Sequence, residues 1–513
     1  MRKLVLFCLA LALAAASVPA MAQSKIDFSG YVKIFHQNLD NFNRAANNNS
    51  DTDSFFENKL QINLEIQPND DISIFWTMRT VNYARWGEFA AGVGGAPAAT
   101  GLFTRWLYAE VRQPWGTVQI GRLADGLGSN AGGLASLGYT PGWGSEFTYV
   151  MPFDIDGPTD SVVYSYDFGN GFVLAAFYAK DNLDRLYVRP NPNSRKDSDR
   201  DRFGIEPRYQ WDTGGASLGL VYIRDKSFDV QFDIDNTPAF DWRAFSPHST
   251  WELQINPAFV QSWGPFSIHF EGVAGFGKTT FRSVDAVGPN NTFLETEIKN
   301  NGLGLYLDAS YNYGAGDVTL MSWYVDGTSY SDLDKDRPTL HSSVSLGDFA
   351  PFLVAYNGVT LGTGIWTNSL PGDPRFTSIP TNLGISDPGG NALDFGLTNH
   401  WGLALLGNHA INDDIRLNYG IGYFRLVSLP AIGFDANGNV RTYPNRSKSL
   451  GVEVDLGATF QILDNLSFET KFGYMFNGSA YRNSGYDPGT DAAWYGQKPK
   501  DTFAWANVLA VTF

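Results

Sequence analysis

The sequence predicts an all-β protein: a transmembrane antiparallel β-barrel of about 18 strands, with short turns at one end and long loops at the other. Three observations lead to this fold class. Segments of about ten residues alternate between apolar and polar side chains, short and long connections take turns along the chain, and the chain ends on an apolar alternating segment with a terminal aromatic residue.

Period-two alternation identifies the strands. Across residues 56–66, Phe56, Leu60 and Ile62 share one face, whereas Lys59 and Glu65 share the other. Residues 26–37 and 449–460 repeat the pattern. In a barrel the apolar face contacts lipid and the polar face lines an aqueous lumen, and the 15% aromatic content suits belts at the two membrane interfaces.

Two kinds of connection separate the strands. Eight are tight turns rich in Gly, Asn, Asp and Pro, at residues 68–71, 114–116, 169–171, 212–215, 263–265, 314–316, 412–414 and 463–465. Nine are long and polar, near residues 43–53, 83–102, 123–160, 183–199, 226–248, 280–299, 327–395, 428–445 and 478–499. Together they join 18 strands. A further hairpin near residues 349–359 would change the number, so the range is 16 to 20.

The N-terminus has the features of a secretory signal peptide. Arg2 and Lys3 precede an apolar run from Leu4 to Ala16, and Ala20-Met21-Ala22 fits a cleavage site. An uncleaved anchor is the alternative. We therefore expect residues 1–22 to be removed and residues 23–513 to form a single barrel domain. Loss of two cations takes the net charge from −16 to −18.

The last strand is predicted to carry an assembly signal. Trp505, Leu509, Val511 and the terminal Phe513 lie on one face of the alternating pattern. A final strand that alternates and ends in an aromatic residue resembles the assembly signal of Gram-negative outer-membrane proteins. An ordinary final strand that happens to end in Phe is the alternative.

Composition and motifs argue against several classes of function. The acidic balance argues against a nucleic-acid partner, since phosphate binding requires a basic surface. The one cysteine, Cys8, lies inside the predicted signal peptide, so no disulfide or cysteine-bound metal is expected. The sequence has no Gly-x-Ser-x-Gly, His-Glu-x-x-His or Walker motif, and its six histidines lack metal-ligand spacing. No catalytic residue, metal or cofactor is therefore expected.

The long connection at 123–160 shows a family resemblance. It follows Gly121-Arg122 and contains Leu137-Gly138-Tyr139-Thr140 and then Glu146-Phe147. These stretches resemble the general-diffusion, trimeric porins of Gram-negative bacteria, and the resemblance is firm over residues 103–182 and at both termini. It implies that this loop folds into the barrel and narrows it, with Arg122 on the wall and Glu146 on the loop. Ser145 stands where the family has a proline, and no basic residue follows at Tyr166-Asp167.

Charged residues on the predicted lumen face complete the candidate constriction. Besides Arg122 and Glu146, the candidates are Lys33, Lys59, Arg79, Glu110 and Arg112. Apart from Arg122 and Glu146, the predicted lumen residues comprise nine acids and six bases, which predicts a weak preference for cations. The further lumen candidates are Glu57, Glu65, Glu252, Glu271, Asp308, Arg416, Glu453, Asp455, Glu469 and Lys471. A shift of one residue in strand register would reverse any of these assignments.

The resemblance implies a water-filled outer-membrane channel for small hydrophilic solutes and ions, assembled as a homotrimer and exported by the signal peptide. Its trimer contacts would use the outer face near Phe28, Gly30 and Val32. Outer-membrane lipid and lipopolysaccharide are the expected surroundings, and the acidic run of Asp197, Asp199 and Asp201 is a candidate for bridging cations. One alternative is a substrate-specific 18-strand channel for sugars or carboxylates. The other is a barrel that serves as a sheath or adhesin.

Overall fold

A computed structural model gives the fold of the chain. The residues that it describes are 25–40, 52–80, 84–85, 102–123, 134–139, 147, 149–150, 159–181, 200–225, 246–284, 293–327, 339–340, 349–354, 399–428, 431–434, 440–442, 447–480 and 501–513. The predicted signal peptide at 1–22 therefore lies outside the described residues.

Within these ranges, 18 antiparallel strands close into one barrel, which confirms the predicted fold class and strand number. Each strand pairs with its neighbours in chain order, and the last pairs with the first. The strands are β1 Lys25–Asp40, β2 Thr52–Asn69, β3 Ile72–Thr80, β4 Leu102–Gln113, β5 Gly116–Leu123, β6 Thr159–Asp167, β7 Phe172–Asp181, β8 Arg200–Trp211, β9 Gly214–Asp225, β10 Ser246–Trp263, β11 Phe266–Val284, β12 Phe293–Asn312, β13 Gly316–Val325, β14 His400–Ala410, β15 Ile415–Leu426, β16 Ser449–Leu463, β17 Leu466–Asn477 and β18 Thr502–Thr512.

The eight tight turns lie where the sequence predicts them, because side-chain amides and glycines satisfy the turn geometry locally. The side-chain amide oxygen of Asn170 accepts a hydrogen bond from the backbone N–H of Phe172. In the same way the side-chain oxygen of Asn312 accepts a 2.8 Å hydrogen bond from the backbone N–H of Gly314. Gly314 has a φ of +90°, a conformation that favours glycine. The turns lie at one end of the barrel, and the strand ends that the long connections join lie at the other; the family resemblance implies that these are the periplasmic and extracellular ends.

The barrel closes where the two ends of the chain meet. Gly30 and Phe513 exchange two backbone hydrogen bonds of 2.8 and 3.0 Å. The Phe513 ring stacks on Phe28 at a centroid distance of 5.6 Å. A Cβ atom on Gly30 would collide with the Gln61 backbone carbonyl oxygen and would lie 2.8 Å from that ring, so glycine allows both the backbone of β2 and the terminal aromatic residue to approach closely.

The two faces of the wall differ as predicted. Alternate residues facing outward are apolar and exposed, as Leu303, Leu305 and Leu307 are on β12, whereas Tyr306 and Asp308, which alternate with them, face inward and are buried. Aromatic pairs follow the periplasmic ends of the strands, including Trp115 with Tyr164 and Phe266 with Tyr311. This girdle marks one edge of the apolar band.

Two boundaries differ from the predictions. β11 runs to Val284 and β12 begins at Phe293, so the long connection predicted at 280–299 is shorter. Of the suggested extra hairpin near 349–359, the described residues 349–354 are no part of the wall, because residues 349–350 pair with residues 149–150 instead. In the described part of the chain, no helix is both long and apolar enough to cross a membrane.

Candidate functional site

The first segment inside the barrel is residues 134–139, within the long connection between β5 and β6. Its short 3-10 helix, Leu134–Leu137, lies on the inner side of β8, β9 and β10. The Arg208 guanidinium donates a 2.6 Å hydrogen bond to the Ser136 carbonyl oxygen. The Ser136 and Ser217 hydroxyl oxygens are 3.3 Å apart, and Leu134 is buried. Both polar and apolar contacts hold this segment on the wall.

Tyr139 extends these contacts to β11 and β12. Its ring stacks on His269 at a centroid distance of 3.5 Å. The His269 Nδ1 atom lies 2.6 Å from the Asp308 carboxylate, which also accepts a 2.7 Å hydrogen bond from the Tyr306 hydroxyl. Burial, with the nearby Asp308 carboxylate, raises the pKa of Tyr139, so its hydroxyl stays protonated at neutral pH.

The second segment inside the barrel is residues 349–354, from the long connection between β13 and β14. Phe352, Leu353 and Val354 are at most 1% exposed. The Leu353 N–H donates to the Asp455 carboxylate at 2.9 Å, and the Val354 N–H donates to Glu453 at 2.6 Å. Two inward carboxylates on β16 therefore bind backbone donors that would otherwise be unsatisfied inside the barrel.

Glycines on β15 form a socket for Phe352. A Cβ atom on Gly422 would lie 2.5 Å from the Phe352 ring, and one on Gly420 would lie 3.3 Å from it. The ring packs edge-on against Phe424 at 5.3 Å between centroids. Any side chain at 422 would displace the ring, so the wall and the loop segment fit each other sterically.

The two inward segments also contact each other's connections. Tyr149 pairs with Ala350 and Val150 with Phe349 in a short antiparallel ladder. On the way to it, Phe147 is buried and packs edge-on against the inward Phe35 of β1, at 6.2 Å between ring centroids. The buried residues of both segments belong to one apolar cluster with inward residues of the wall.

Three of the predicted basic residues lie together on β1, β2 and β3. Lys33 and Lys59 are register partners on the inner face. Their ammonium groups lie 4.5 and 5.9 Å from the centre of the Tyr31 ring, within cation–π range. Arg79 is buried and is the register partner of Gln61, which is the next inner-face residue after Lys59 on β2.

Glu110 and Arg112 also face inward but lie close to the turn at 114–115, near the periplasmic end. They form an ion pair with each other, and Glu110 accepts a 2.7 Å hydrogen bond from Gln119. Their position near the turn separates them along β4 from the lysine pair.

The prediction that Arg122 lines the lumen is wrong. On β5 it is Gln119 and Gly121 that face inward, opposite Glu110 and Tyr108. Arg122 is one residue further, so it shares the outward face with Leu107 and pairs in register with Asp160. A one-residue offset reverses the face of a strand residue. Glu146, the expected loop partner, lies outside the described residues, as does the side chain of Glu57.

The other predicted lumen charges lie on the inner face but differ in burial. Six of the acids are at most 6% exposed, and several are engaged by the inward segments. These six are Glu252, Glu271, Asp308, Glu453, Asp455 and Glu469. Glu65 is half-buried and Arg416 is exposed, whereas Lys471 is buried with its ammonium 3.1 Å from the Asp455 carboxylate.

Two features of the site were not predicted. Arg105 is buried beside Trp106, 5.3 Å from that ring, at a bulge in β4 where strict alternation fails. The inward segment at 349–354 lies within the long connection predicted at 327–395, and its place inside the barrel was not predicted. The pair Gly420 and Gly422 on one face of an otherwise bulky strand is the sequence signal that marks its socket.

The predicted assembly residues line the outer face of β18. Val511 pairs with Val32 and Leu466, and Leu509 pairs with Ile34 and Phe468. Trp505 donates its indole N–H to Thr470 at 3.0 Å. The final strand thus contacts both its neighbours through apolar outward side chains.

Comparisons with known proteins give one family match. The profile of the Gram-negative porins matches residues 9–337. Among solved structures, OccK8 (OprE) of Pseudomonas aeruginosa is 10% identical with a TM-score of 0.43, covering 95% of this chain and 98% of its own. The anion-selective porin of Comamonas acidovorans is 10% identical with a TM-score of 0.40, covering 96% and 100%. Salmonella typhi OmpF is 13% identical with a TM-score of 0.37, covering 96% and 98%. A search of curated proteins found no match.

Proposed function

Because the chain belongs to the family of Gram-negative porins, which forms channels in the outer membrane, we propose that it is a passive channel narrowed by two inward segments. Small hydrophilic solutes and ions are the proposed cargo, and the proposal includes no enzymatic activity. The observation that carries it is the pair of buried segments, 134–139 and 349–354, held against the inner wall of the barrel. A pore selects by its narrowest section, so these segments are the proposed constriction.

The wall charges support a slight selectivity. The acid excess of the lumen still favours cations, yet the six acids buried at the wall are largely engaged by neighbouring groups. Two of the lumen bases, Lys33 and Lys59, remain partly exposed. Permeating ions should therefore meet less negative charge than the sequence suggests, and we propose weak cation selectivity.

The quaternary structure and export route are part of the same proposal. We propose a homotrimer that uses the outer face of β1, where Ile26 and Phe28 are about 60% exposed. The signal peptide at 1–22 would direct export and be cleaved. The outward residues of β18, which end at Phe513, would serve as the assembly signal.

A channel specific for one class of solute is the second candidate. Phe75 and Tyr108 stack on the inner wall at 4.8 Å between centroids, and the centre of the Tyr31 ring lies 4.5 and 5.9 Å from the two lysine ammonium groups. Aromatic faces beside cations suit sugars or carboxylates. Phe35, in contrast, is covered by Phe147 and acts as packing.

Single-channel conductance of the purified barrel in a planar bilayer tests the proposal, with the reversal potential measured in a salt gradient. Ohmic steps in groups of three with a small shift toward cations are expected. A conductance reduced by one added solute would favour the specific channel. A folded, heat-modifiable barrel that does not conduct would contradict both and favour a sheath or adhesin.

A further inference from the structure

Parts of two long connections, far apart in the sequence, join inside the barrel. One end of the joined structure is Phe147, whose ring packs on the inward Phe35 of β1, and the other end is Phe352 in its socket on β15. The ladder between residues 149–150 and 349–350 links the two ends. Residues 147, 149–150 and 349–354 are called the strap below. Since β16, β17 and β18 separate β15 from β1, the strap extends past three strands of the wall.

The wall beneath the strap carries small residues. A Cβ atom on Gly473 of β17 would lie 3.1 Å from the Leu353 Cβ atom. On β18, Ala504 and Ala506 face inward, are 1% exposed and belong to the same apolar cluster as the strap. Small side chains in an open lumen would be accessible to water, so their burial shows that this sector of the wall is covered.

The two ends of the strap are connected over short stretches of chain. Tyr149 lies two positions after Phe147, and Ala350 lies two positions before Phe352. Two residues of backbone reach at most about 7 Å. Neither ring can therefore move far from its seat unless the ladder moves with it or breaks, and a broken ladder leaves backbone groups without partners.

The strap also covers charge on the wall. Glu453 and Asp455 accept hydrogen bonds from the Val354 and Leu353 N–H groups and are at most 2% exposed. Lys471 lies 3.1 Å from Asp455, so these two acids and one base carry one net negative charge. Displacement of the strap would give water and ions access to this charge.

We propose that the strap is a gate that releases as a single unit, and that its release changes conductance and ion selectivity together. Release of Phe352 from its socket carries the ladder with it and lifts Phe147 from Phe35. The conducting path then widens and gains the net negative charge around Glu453. The inference rests on the proposed channel function, because the strap contains one of the two segments of the proposed constriction.

Modification of buried cysteines by a water-soluble methanethiosulfonate reagent tests the coupling between the two ends. Val508→Cys places the reporter at the β1 end, because Val508 is the register partner of Phe35 and is 1% exposed. Phe352→Ala breaks the contact at the other end and should speed modification of this thiol about tenfold, within the 5- to 150-fold range usual for coupled sites. Phe276→Ala, on the lipid face of β11, is the matched control and should leave the rate unchanged.

Two comparisons separate coupling from general loosening of the barrel. Ala179→Cys places the same reporter in a separate apolar cluster on β7, and Phe352→Ala should not change its rate. Phe349→Pro with Ala350→Pro removes the backbone donors of one side of the ladder, and Phe352→Ala should then no longer affect the thiol of Val508→Cys. A rate that does not respond to Phe352→Ala, or a response that persists without the ladder, would overturn the coupling. The assay requires no conduction, so failure of the gate is distinguishable from failure of the channel.

The reversal potential in a salt gradient tests the change in selectivity. Phe352→Ala should shift it in the direction of higher cation selectivity, because the carboxylates are uncovered. Glu453→Gln in the same background removes the net charge and should reverse the shift. An unchanged reversal potential in Phe352→Ala, while the thiol of Val508→Cys is modified rapidly, would overturn the proposed change in selectivity.

Discussion

Replacing Phe352 with alanine should release the second inward segment and widen the channel. The ring is fully buried in the socket of Gly420, Gly422 and Phe424. Truncation of a buried Phe costs about 3–5 kcal/mol. At about 1.4 kcal/mol per tenfold change, the equilibrium between seated and released segment should shift about 100- to 4000-fold toward release.

Single-channel recording in a planar bilayer measures this effect as a larger mean conductance, or as added transitions to a larger conductance. Phe276→Ala is the matched control, because that ring is 50% exposed on the lipid face of β11. Gly422→Val disrupts the same contact by a change in the wall, because the valine side chain would collide with the Phe352 ring. It should give the same result. Unchanged conductance in both Phe352→Ala and Gly422→Val, with both barrels folded, would refute the reasoning.

Three other substitutions test separate parts of the account. Asp455→Asn replaces the charged acceptor of the Leu353 N–H by a neutral one, and a hydrogen bond to a charged group contributes about 1.5–3 kcal/mol. The variant should therefore show more current noise, and traces as quiet as those of the wild type would contradict this role of Asp455. Gly30→Val would collide both with the Gln61 backbone carbonyl oxygen of β2 and with the Phe513 ring, and should lower the yield of heat-modifiable barrel. A normal yield would contradict the close packing at Gly30. Lys59→Glu should shift the reversal potential in the direction of higher cation selectivity, and the shift should be larger at 0.1 M than at 1 M salt because salt screens the charge. An unchanged reversal potential would show that Lys59 does not line the conducting path.

The wall of the barrel could be predicted from sequence because its determinants are local. Period-two alternation depends on neighbouring residues, and each tight turn depends on its own Asn, Asp or Gly, as at Asn312 and Gly314. The contact of Phe513 with Gly30, by contrast, joins the two ends of the chain. Its sequence signal was a terminal aromatic residue, whose partner the sequence does not identify.

The interior could be predicted only in part, because it is built from contacts between distant residues. Leu353 and Asp455, which form a hydrogen bond, are about a hundred residues apart in the sequence. The strand pairs formed by residues 149–150 and 349–350 are about twice as far apart in the sequence. Alternation placed Lys33 and Lys59 on the inner face, where the structure has them. A motif carried over from the family misplaced Arg122, since resemblance does not fix strand register. Arg105 was missed because a bulge changes the alternation.

The proposed channel conducts while the segment at 134–139 stays on the inner wall of the barrel. A double variant Ser136→Cys, Ser217→Cys tests it, because the two hydroxyl oxygens are 3.3 Å apart and the sole native cysteine, Cys8, belongs to the predicted signal peptide. Under mild oxidation the two thiols should form a disulfide, seen as a mobility change without reductant, and the single-channel conductance should stay the same. If the disulfide does not form, or if the conductance changes when it forms, the segment does not rest on the wall in the conducting state.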